Sequence, residues 1–568
     1  MPGHIVSIND YTGTNVARLK AAAADLALQG GGVLLIPGGT YDLDSAELAQ
    51  PVTLTDNITV EGCSSVLTVT GTAQTSAVFA ALDRNNVTIR NLSCTGNSVA
   101  SGYNNGAFFN YFLTATAAAN TSGVLVEDVT LDNFKAPYWI CVENLHASRT
   151  IVGVTIRRIS AYSKSGNAIS PTDITWNASV IGIVGNQTGV IERVHVSDLY
   201  VDASHIKSGV ILYHGVRNAL LDNLSIFHAG YADTFANDAG AYAVQIYDSY
   251  GVGSGILVQN VRLSARSCGI YVAGQHDVTL SGFVIEGQLD TLDGSLPKGA
   301  IAINGTVNCT VRDGTIRNCA RGIEWSGPSA NERCDGVISN VKCYEAVTLP
   351  LRIKPYTAPM NGLAIDRSRF VGLNYGAIVE VNDSSLVLND FSCENSSFAA
   401  TAPGASGSYG LDAFALVPAN PIPSGNWRFE NCAFTGASAG LRARNVTGRV
   451  TIVSSTATGT GAGTPFHLAG STDLVLKDLE ARLDTGSTHF EMTGAQGSVG
   501  GAMRGYPNGA VATGLGTTKP GFAKIKGDYV KYINFAPAPA GNGQTFVSGW
   551  LCDGGSSWRP VVETVNAA

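Results

Sequence analysis

The chain has 568 residues, of which 45% are hydrophobic and only 14% are charged, and 66 of them are glycines. This composition favours an all-β, turn-rich protein, because the helix-favouring Glu and Lys residues are scarce. The formal net charge of -8 argues against a protein that follows nucleic-acid phosphates with a basic face, so no nucleic-acid partner is expected.

The sequence shows neither a membrane span nor an export signal. No apolar run reaches the roughly 18 residues that a membrane helix requires, and the N-terminal stretch MPGHIVSIND lacks the basic and apolar regions of a secretory signal. We therefore expect no membrane insertion and no Sec export. The eleven cysteines are an odd number without CxxC spacing, and they predict buried reduced thiols.

The first predicted elements are a helix and a strand. The stretch TGTNVARLKAAAADLALQGG (12–31) predicts a helix that is capped by Thr14 or Asn15 and ends at Gly30 to Gly32. The strand VLLIP (33–37) follows at once. A repetitive β protein exposes apolar residues and strand edges at its open end, and we expect this helix to cover that end.

A short pattern then recurs along the chain: apolar, any residue, apolar, polar, Asn or Asp, apolar. Examples are VTIRNLSC (87–94), VLVEDVTL (124–131) and ILVQNVRL (256–263). The residue after the Asn or Asp position recurs at intervals of 22 to 41 residues. These markers are Leu92, Val129, Ile159, Val194, Leu224, Val261, Phe283, Gly314, Val341, Ser368, Phe391, Cys432, Ser455 and Leu479.

The repeats predict a parallel β-solenoid. Period-2 alternation belongs to strands, and the polar or Gly pair bends the chain between two short strands. Repeats too short to bury their own apolar face are stable only when they are stacked. A propeller would have a steadier period near 40 to 50 residues, and a leucine-rich repeat would have its Leu and Asn spacing. The sequence shows neither pattern.

At this point the sequence resembles the pectate-lyase-like right-handed parallel β-helix family, which includes phage tailspikes and polysaccharide depolymerases. The resemblance rests on the helix followed by GGGVLLIPGGTYDL (30–43). The family's Asp-rich, Gly-containing loop before the helix is here NDYTGTN (9–15), which retains Asp10 and little else. The resemblance implies a glycan substrate, a homotrimer, and a place in a phage tail or outside the cell.

We expect three parts along the chain. Residues 1–45 form the capping helix and first strand, and residues 46–500 form the parallel β-helix. Beyond residue 500 the pattern changes to short strands with Gly and Pro turns, which predicts a small β module at 501–568. This module could form trimers, contact carbohydrate or cap the solenoid.

One set of strands is expected to carry the site, because neighbouring coils about 4.8 Å apart stack their outward side chains in ladders. If aliphatic residues such as Val210, Leu212, Val244 and Ile246 face inward, polar and aromatic residues face outward. Aromatic rings pack on pyranose faces, while amides and carboxylates hold hydroxyls. The predicted substrate-binding residues are Glu143, Tyr213, His214, Gln245, Tyr247, Tyr271, Asn304, Trp325, Arg352 and Lys354.

Glycosidic hydrolysis needs two carboxyl groups, one protonated and one ionised. Glu324 and Glu380 lie two coils apart in this register, with Arg352 between them. Asp248 and Asp238 form a second predicted pair. No cofactor is predicted, and no HxH or HExxH spacing indicates a metal.

Two other functions stay open. A polysaccharide lyase or epimerase needs a base and a cation that neutralises a uronate carboxylate, for which Lys207, His214, Arg352 and Lys354, with Tyr213, could serve. A non-catalytic tail fibre or adhesin would only bind. The preferred hypothesis is a homotrimeric depolymerase, in a virion tail or secreted, that hydrolyses a bacterial capsular polysaccharide, exopolysaccharide or lipopolysaccharide glycan.

Overall fold

The structure is a computed structural model of the chain. The residues that it describes are 4–71, 73, 76–96, 106–134, 136–163, 179–204, 206–229, 241–287, 299–327, 334–346, 349–355, 360–381, 387–402, 407–415, 422–444, 446–461, 463–468, 473–483, 490–491, 497–507, 529–531, 545–554 and 557–564.

The N-terminal helix is confirmed. Helix α1 spans Asn15–Leu28, and the Thr14 Oγ1 accepts the Ala17 N–H at 3.2 Å. After it, Gly32 has a φ of 142°, in the left-handed region, and a Cβ there would collide with the backbone oxygen of His4. Short 3-10 helices span Ile8–Asp10 and Glu47–Ala49.

The chain divides into two compact units, Met1–Ala302 and Ile303–Ala568. The strands of the first unit are β1 Ile5–Ser7, β2 Gly32–Leu35, β3 Thr40–Asp44, β4 Val52–Leu54, β5 Ile58–Thr70, β6 Ala77–Leu82, β7 Val87–Thr95, β8 Ala107–Leu113, β9 Thr121–Asp132, β10 Tyr138–Asn144, β11 Thr150–Ser163, β12 Ser179–Val184, β13 Val190–Ala203, β14 Ser208–Tyr213, β15 Val216–Ala229, β16 Tyr242–Tyr247, β17 Ser254–Ala265, β18 Cys268–Ala273 and β19 His276–Glu286. Strand β20, Ile301–Asn304, contains the division.

The strands of the second unit are β21 Val307–Arg317, β22 Arg321–Ser326, β23 Gly336–Ala346, β24 Leu349–Lys354, β25 Met360–Asn361, β26 Leu363–Asp366, β27 Arg369–Gly372, β28 Tyr375–Val381, β29 Leu388–Asn389, β30 Phe391–Glu394, β31 Ser397–Ala400, β32 Tyr409–Ala415, β33 Ile422–Glu430, β34 Ala433–Gly436, β35 Ala439–Ala443, β36 Val446–Val453, β37 Thr456–Gly459, β38 Phe466–His467, β39 Asp473–Leu483, β40 Phe490–Glu491, β41 Gly497–Pro507, β42 Tyr529–Lys531, β43 Thr545–Gly554 and β44 Ser557–Thr564.

Each unit is a stack of parallel coils. In the first unit the odd-numbered strands from β5 to β19 form sheet 1, and the even-numbered strands from β4 to β18 form sheet 2. In the second unit sheet 2 contains β22, β24, β28, β32, β35, β38 and β40. Strand connections of this parallel kind are right-handed. The fold is the predicted right-handed parallel β-helix.

Left-handed residues bend the long strands of sheet 1. Asn91, Asp128, Arg158 and Asp198 each have a φ between 52° and 59°, at equivalent positions of successive coils. Asn and Asp tolerate this conformation because their short polar side chains can bond locally. The predicted bend at the repeated Asn or Asp position is confirmed.

Two of the fourteen markers are in the wrong register. Val194 aligns with Val154, whereas Leu199 is the true partner of the marker Ile159. Likewise Phe391 aligns with Trp427. It lies before the second bend of its coil, whereas the correctly placed markers lie directly after that bend. Each coil has two similar polar bends, and the sequence pattern did not distinguish them.

The apolar side chains fill the inside of each unit. Val210, Leu212, Val244 and Ile246 are fully buried, as predicted for the inward positions, but Ile211 and Gln245 between them are buried as well. Free thiols are found at Cys63, which is exposed, and at nine buried cysteines, as predicted: Cys94, Cys141, Cys268, Cys309, Cys319, Cys334, Cys343, Cys393 and Cys432.

The C-terminal strands differ from the coils in their pairing. Strands β42, β43 and β44 form an antiparallel sheet, within the range 501–568 for which we predicted a separate module. Among the described residues, no helix is long and apolar enough to cross a membrane.

Candidate functional site

In the first unit the outer face of sheet 2 carries one continuous row of side chains. Glu143 on β10 aligns with Val184 on β12, and Val184 aligns with Tyr213 on β14. Tyr213 aligns in turn with Tyr247 on β16. Three predicted residues of this unit, Glu143, Tyr213 and Tyr247, therefore lie along a single row, although Val184 separates Glu143 from the tyrosines.

An aromatic cluster occupies the end of this row. The ring centroid of His214 lies 5.0 Å from that of Tyr213, 5.4 Å from that of Tyr247 and 4.8 Å from that of Tyr250. The Tyr213 and Tyr247 centroids are 5.2 Å apart. Tyr250 was not predicted, because it lies in the turn after β16 and outside the alternating pattern.

Burial sets the protonation of this cluster. Desolvation lowers the pKa of His214, although the Asp248 carboxylate, 3.9 Å from its Nδ1, acts in the opposite direction. Burial also raises the pKa of Tyr213. At neutral pH His214 is therefore an uncharged imidazole beside the rings of Tyr213, Tyr247 and Tyr250, a surface suited to a sugar ring.

The prediction of Asp248 as a catalytic group is wrong. Its side chain is fully buried, and its carboxylate accepts N–H groups from Gly215 at 3.3 Å, Tyr250 at 2.8 Å and Val252 at 2.9 Å, and from Gly253. Its oxygens hold the turn after β16 and join it to the neighbouring coil. The other member of that predicted pair, Asp238, lies outside the described residues.

Gln245 and Tyr271 lie on a second row beside the first. They align with each other on β16 and β18, and Gln245 is almost completely buried. The Tyr271 ring stacks on that of Tyr242, with centroids 5.1 Å apart and an interplanar angle of 26°. This stack makes Tyr271 part of a packed pair.

Glu143 lines a cavity of about 430 Å³ on the same face. The cavity walls come from three successive coils and are Ser76, Gly106, Ala107, Asn110, Phe112, Ala136, Pro137, Tyr138, Cys141 and Glu143. Desolvation raises the pKa of Glu143. Of the predicted substrate-binding residues, Glu143 is the one that lines this cavity.

In the second unit the predicted carboxylates meet around one guanidinium. The Arg352 Nη1 donates to Glu324 Oε1 at 3.2 Å, and its Nε and Nη2 donate to Glu380 Oε2 at 2.9 and 2.6 Å. The Lys354 Nζ lies 3.6 Å from Glu380 Oε1. The Arg321 Nη1 lies 3.4 Å from Glu324 Oε1. The Arg352 guanidinium lies between the two carboxylates, although the strand register aligns Arg352 with Glu324 and Ile378 and not with Glu380.

The two carboxylates have different surroundings. Burial raises the pKa of Glu324, and the attraction of Arg352 and Arg321 reduces that effect without reversing it. Glu380 contacts two cations, Arg352 and Lys354, and Glu324 contacts Arg352 and Arg321. A carboxyl group whose pKa is raised is suited to the acid role in a catalytic pair.

Trp325 was predicted to bind substrate, and this is wrong. Its side chain is fully buried, because it alternates with Glu324 along β22 and therefore faces the core. Asn304 is exposed at the end of β20.

A second charged cluster further along sheet 2 was missed. The Arg442 Nε and Nη2 donate to the two oxygens of Asp412, and its Nη1 donates to the Tyr409 hydroxyl at 2.6 Å. Tyr409 stacks on Tyr375, with centroids 6.0 Å apart. Burial raises the pKa of Asp412 against the attraction of Arg442. The sequence contains a signal for this cluster. The alternation of inward and outward residues seen in β28 continues in LDAFA (411–415) and LRAR (441–444), and it predicts that Asp412 and Arg442 face outward.

No protein-family model matches the sequence, and no curated protein matches it either. Solved structures do show a likeness. A double mutant of the tailspike protein of E. coli bacteriophage HK620, solved in complex with a pentasaccharide, is 10% identical over 98% of this chain and 92% of that chain, with a TM-score of 0.37. The likeness is one of fold.

Two further structures are similar in the same way. The N-terminal fragment of gene product 12 of bacteriophage phi29 is 11% identical over 95% of this chain and 96% of that chain, with a TM-score of 0.35. A hyperthermoactive exopolygalacturonase from Thermotoga maritima is 12% identical over 90% of this chain and 93% of that chain, with a TM-score of 0.29.

Proposed function

We propose that this protein binds a polysaccharide on the outer face of sheet 2 and hydrolyses its glycosidic bonds with Glu324 and Glu380. The observation that carries the proposal is the pair of carboxylates gathered around Arg352, of which Glu324 has a raised pKa. Glycosidic hydrolysis requires one carboxyl group to donate a proton while the other stays ionised.

The roles follow from the surroundings of each group. Glu324 has the raised pKa, so it is the general acid that protonates the leaving oxygen. Glu380, which contacts Arg352 and Lys354, takes the other role and activates water or attacks the sugar. The Arg352 guanidinium hydrogen-bonds both carboxylates, which keeps them near each other, as a glycosidase pair must be.

The test is a cleavage assay on bacterial capsular polysaccharides, exopolysaccharides and lipopolysaccharide glycans. We would measure new reducing ends together with the ultraviolet absorbance of a new carbon–carbon double bond. Reducing ends without absorbance, lost in Glu324→Gln and in Glu380→Gln, are expected. Glu430→Gln is the matched control, because Glu430 pairs with Arg428 on another sheet. Full turnover in both active-site variants would refute the roles.

Elimination or epimerisation is the second candidate, favoured by the uncharged His214 beside Tyr213 in the first unit. Such a reaction also needs a cation that is free to meet a uronate carboxylate. Arg352 and Lys354 already contact Glu380, which is the reason for preferring hydrolysis. Absorbance that rises with the reducing ends, and is lost in His214→Gln, would establish elimination.

The assembly and location belong to the same proposal. We expect a homotrimer that acts on a bacterial surface polysaccharide, in a phage tail or outside the cell. Sedimentation at micromolar concentration tests the trimer, and a monomer would exclude it. Saccharide binding without any product from the whole panel would leave a non-catalytic tail or adhesin as the function.

A further inference from the structure

The cavity that contains Glu143 has the features of a saccharide subsite. Its volume of about 430 Å³ lies in the range of small-molecule sites. Aromatic rings stand among its lining residues, with Tyr138 at the start of β10 and Phe112 next to Glu143 on the neighbouring strand β8. Ala107, Ala136 and Pro137 supply further apolar wall. Such walls suit the carbon-bound hydrogens of a sugar ring.

A glycine on the next strand makes room for one of these rings. Gly182 on β12 aligns with Cys141 on β10, and a Cβ at position 182 would collide with the Tyr138 ring. The Tyr138 ring therefore lies directly against the backbone of β12. The position of this wall is set by packing between coils.

Glu143 has no opposite charge near it within the described residues. Its neighbours across the sheet are Phe112 and Val184, and the lining residues that the structure describes contain no Lys, Arg or His. The titratable groups that share the cavity are Cys141 and Tyr138, and burial and Glu143 raise the pKa of the Cys141 thiol well above its usual value. A carboxylate that is partly buried without a cation is costly. A ligand that brings a positive charge removes that cost.

From these contacts we propose that the Glu143 cavity is a subsite for a sugar unit with a free amino group, whose ammonium pairs with the Glu143 carboxylate while its ring lies against Tyr138 and Phe112. A charge-assisted hydrogen bond to Glu143 is about twice as strong as a neutral one. A uronate would bring a second negative charge to a site in which the described residues supply no cation, and would be rejected. The subsite rests on the proposed function in one respect, that the ligand is a saccharide.

Binding is measured without turnover, so the two proposals can fail separately. Calorimetry on the full chain compares three probes: a glucosamine tetramer, its fully N-acetylated form, and a galacturonic acid tetramer. We expect the glucosamine tetramer to bind at least about tenfold more tightly than the others, since a charge-assisted bond is lost in both. The Glu324→Gln variant should retain this binding.

The variant Glu143→Gln should lose about tenfold or more of the affinity for the glucosamine tetramer. Glu192→Gln, on β13 of sheet 1, is the control and should have no effect. Affinity in the wild type should fall as the solution is acidified, because protonation removes the charge of Glu143, whereas Glu143→Gln should show no such fall. Thermal melting of each variant checks that it is folded.

A second variant tests the wall. Gly182→Ala should displace the Tyr138 ring and weaken the glucosamine tetramer while leaving Glu143 in place. No binding of the glucosamine tetramer, equal binding of the N-acetylated form, preference for the galacturonic acid tetramer, or unchanged affinity in Glu143→Gln would each overturn the proposal.

Discussion

Replacement of Asp248 by Ala tests how the turn after β16 is held. The four N–H groups that Asp248 accepts lose their partner in this variant. Those of Gly215 and Gly253 are buried, whereas water can reach those of Tyr250 and Val252. A buried donor without a partner costs about 1–3 kcal/mol, so we expect Asp248→Ala to destabilise the fold by roughly 4 kcal/mol.

Asp248→Asn keeps one acceptor oxygen. That oxygen can serve the three N–H groups of Gly215, Val252 and Gly253, which now share Oδ2. The loss should be roughly half that of the Ala variant. We also expect polysaccharide cleavage by folded Asp248→Asn to equal that of the wild type, since this carboxylate is not a catalytic group.

Urea unfolding followed by circular dichroism measures the stability, and hydrogen exchange by mass spectrometry measures protection of the peptides around Gly215 and Gly253. Asp222→Ala is the control, because Asp222 accepts a bond from Asn260 at the surface, and such a change stays within about 0.5 kcal/mol. If Asp248→Ala unfolds like the wild type and its amides remain protected, the four N–H groups have other partners and the reasoning is refuted.

Three further predictions concern charge, pH and the core. Arg442→Met should destabilise the protein by about 3–5 kcal/mol in urea unfolding, because Asp412 is left buried without its partner. Arg428→Met, at an exposed pair, should cost less than about 1 kcal/mol, and equal losses would contradict the burial argument. The pKa of His214 is lowered in the folded protein, so the unfolded chain takes up a proton more readily than the folded one. His214 therefore contributes stability above about pH 6.5, the usual pKa of histidine, and this contribution is lost as the pH falls below that value. Melting curves of His214→Gln should show a smaller fall on acidification, and an unchanged fall would contradict the prediction. Trp325→Ala should cost about 3–5 kcal/mol while folded Trp325→Phe keeps its saccharide affinity, and a loss of affinity in titration would return Trp325 to the binding face.

The sequence by itself determined the repeating architecture. Alternation of apolar and polar residues is local, so the burial of Val210, Leu212 and their equivalents could be read from one strand at a time. The N-terminal helix has its signals in Thr14 and the glycines that follow it. The bends at Asn91 and its equivalents could also be read locally, because Asn and Asp tolerate a positive φ.

Part of the candidate site could also be predicted from the alternation of inward and outward residues along each strand. Glu324, Arg352 and Glu380 were placed on one face because each alternates with inward aliphatic residues. The same rule turns Trp325 inward, so its assignment to the binding face departed from the pattern. Asp412 and Arg442 obey the pattern as well, and they were missed because the register was not extended beyond β28.

Tertiary structure alone decided what each outward group meets. The partners of Asp248 include Gly215 on the neighbouring coil, and the walls around Glu143 come from three coils. Coils are separated by loops of variable length, and each has two similar bends, so distance along the chain does not fix which residues align. The alignment is set by the packing of inward side chains and by hydrogen bonds between coils. Those contacts exist only once the coils have stacked.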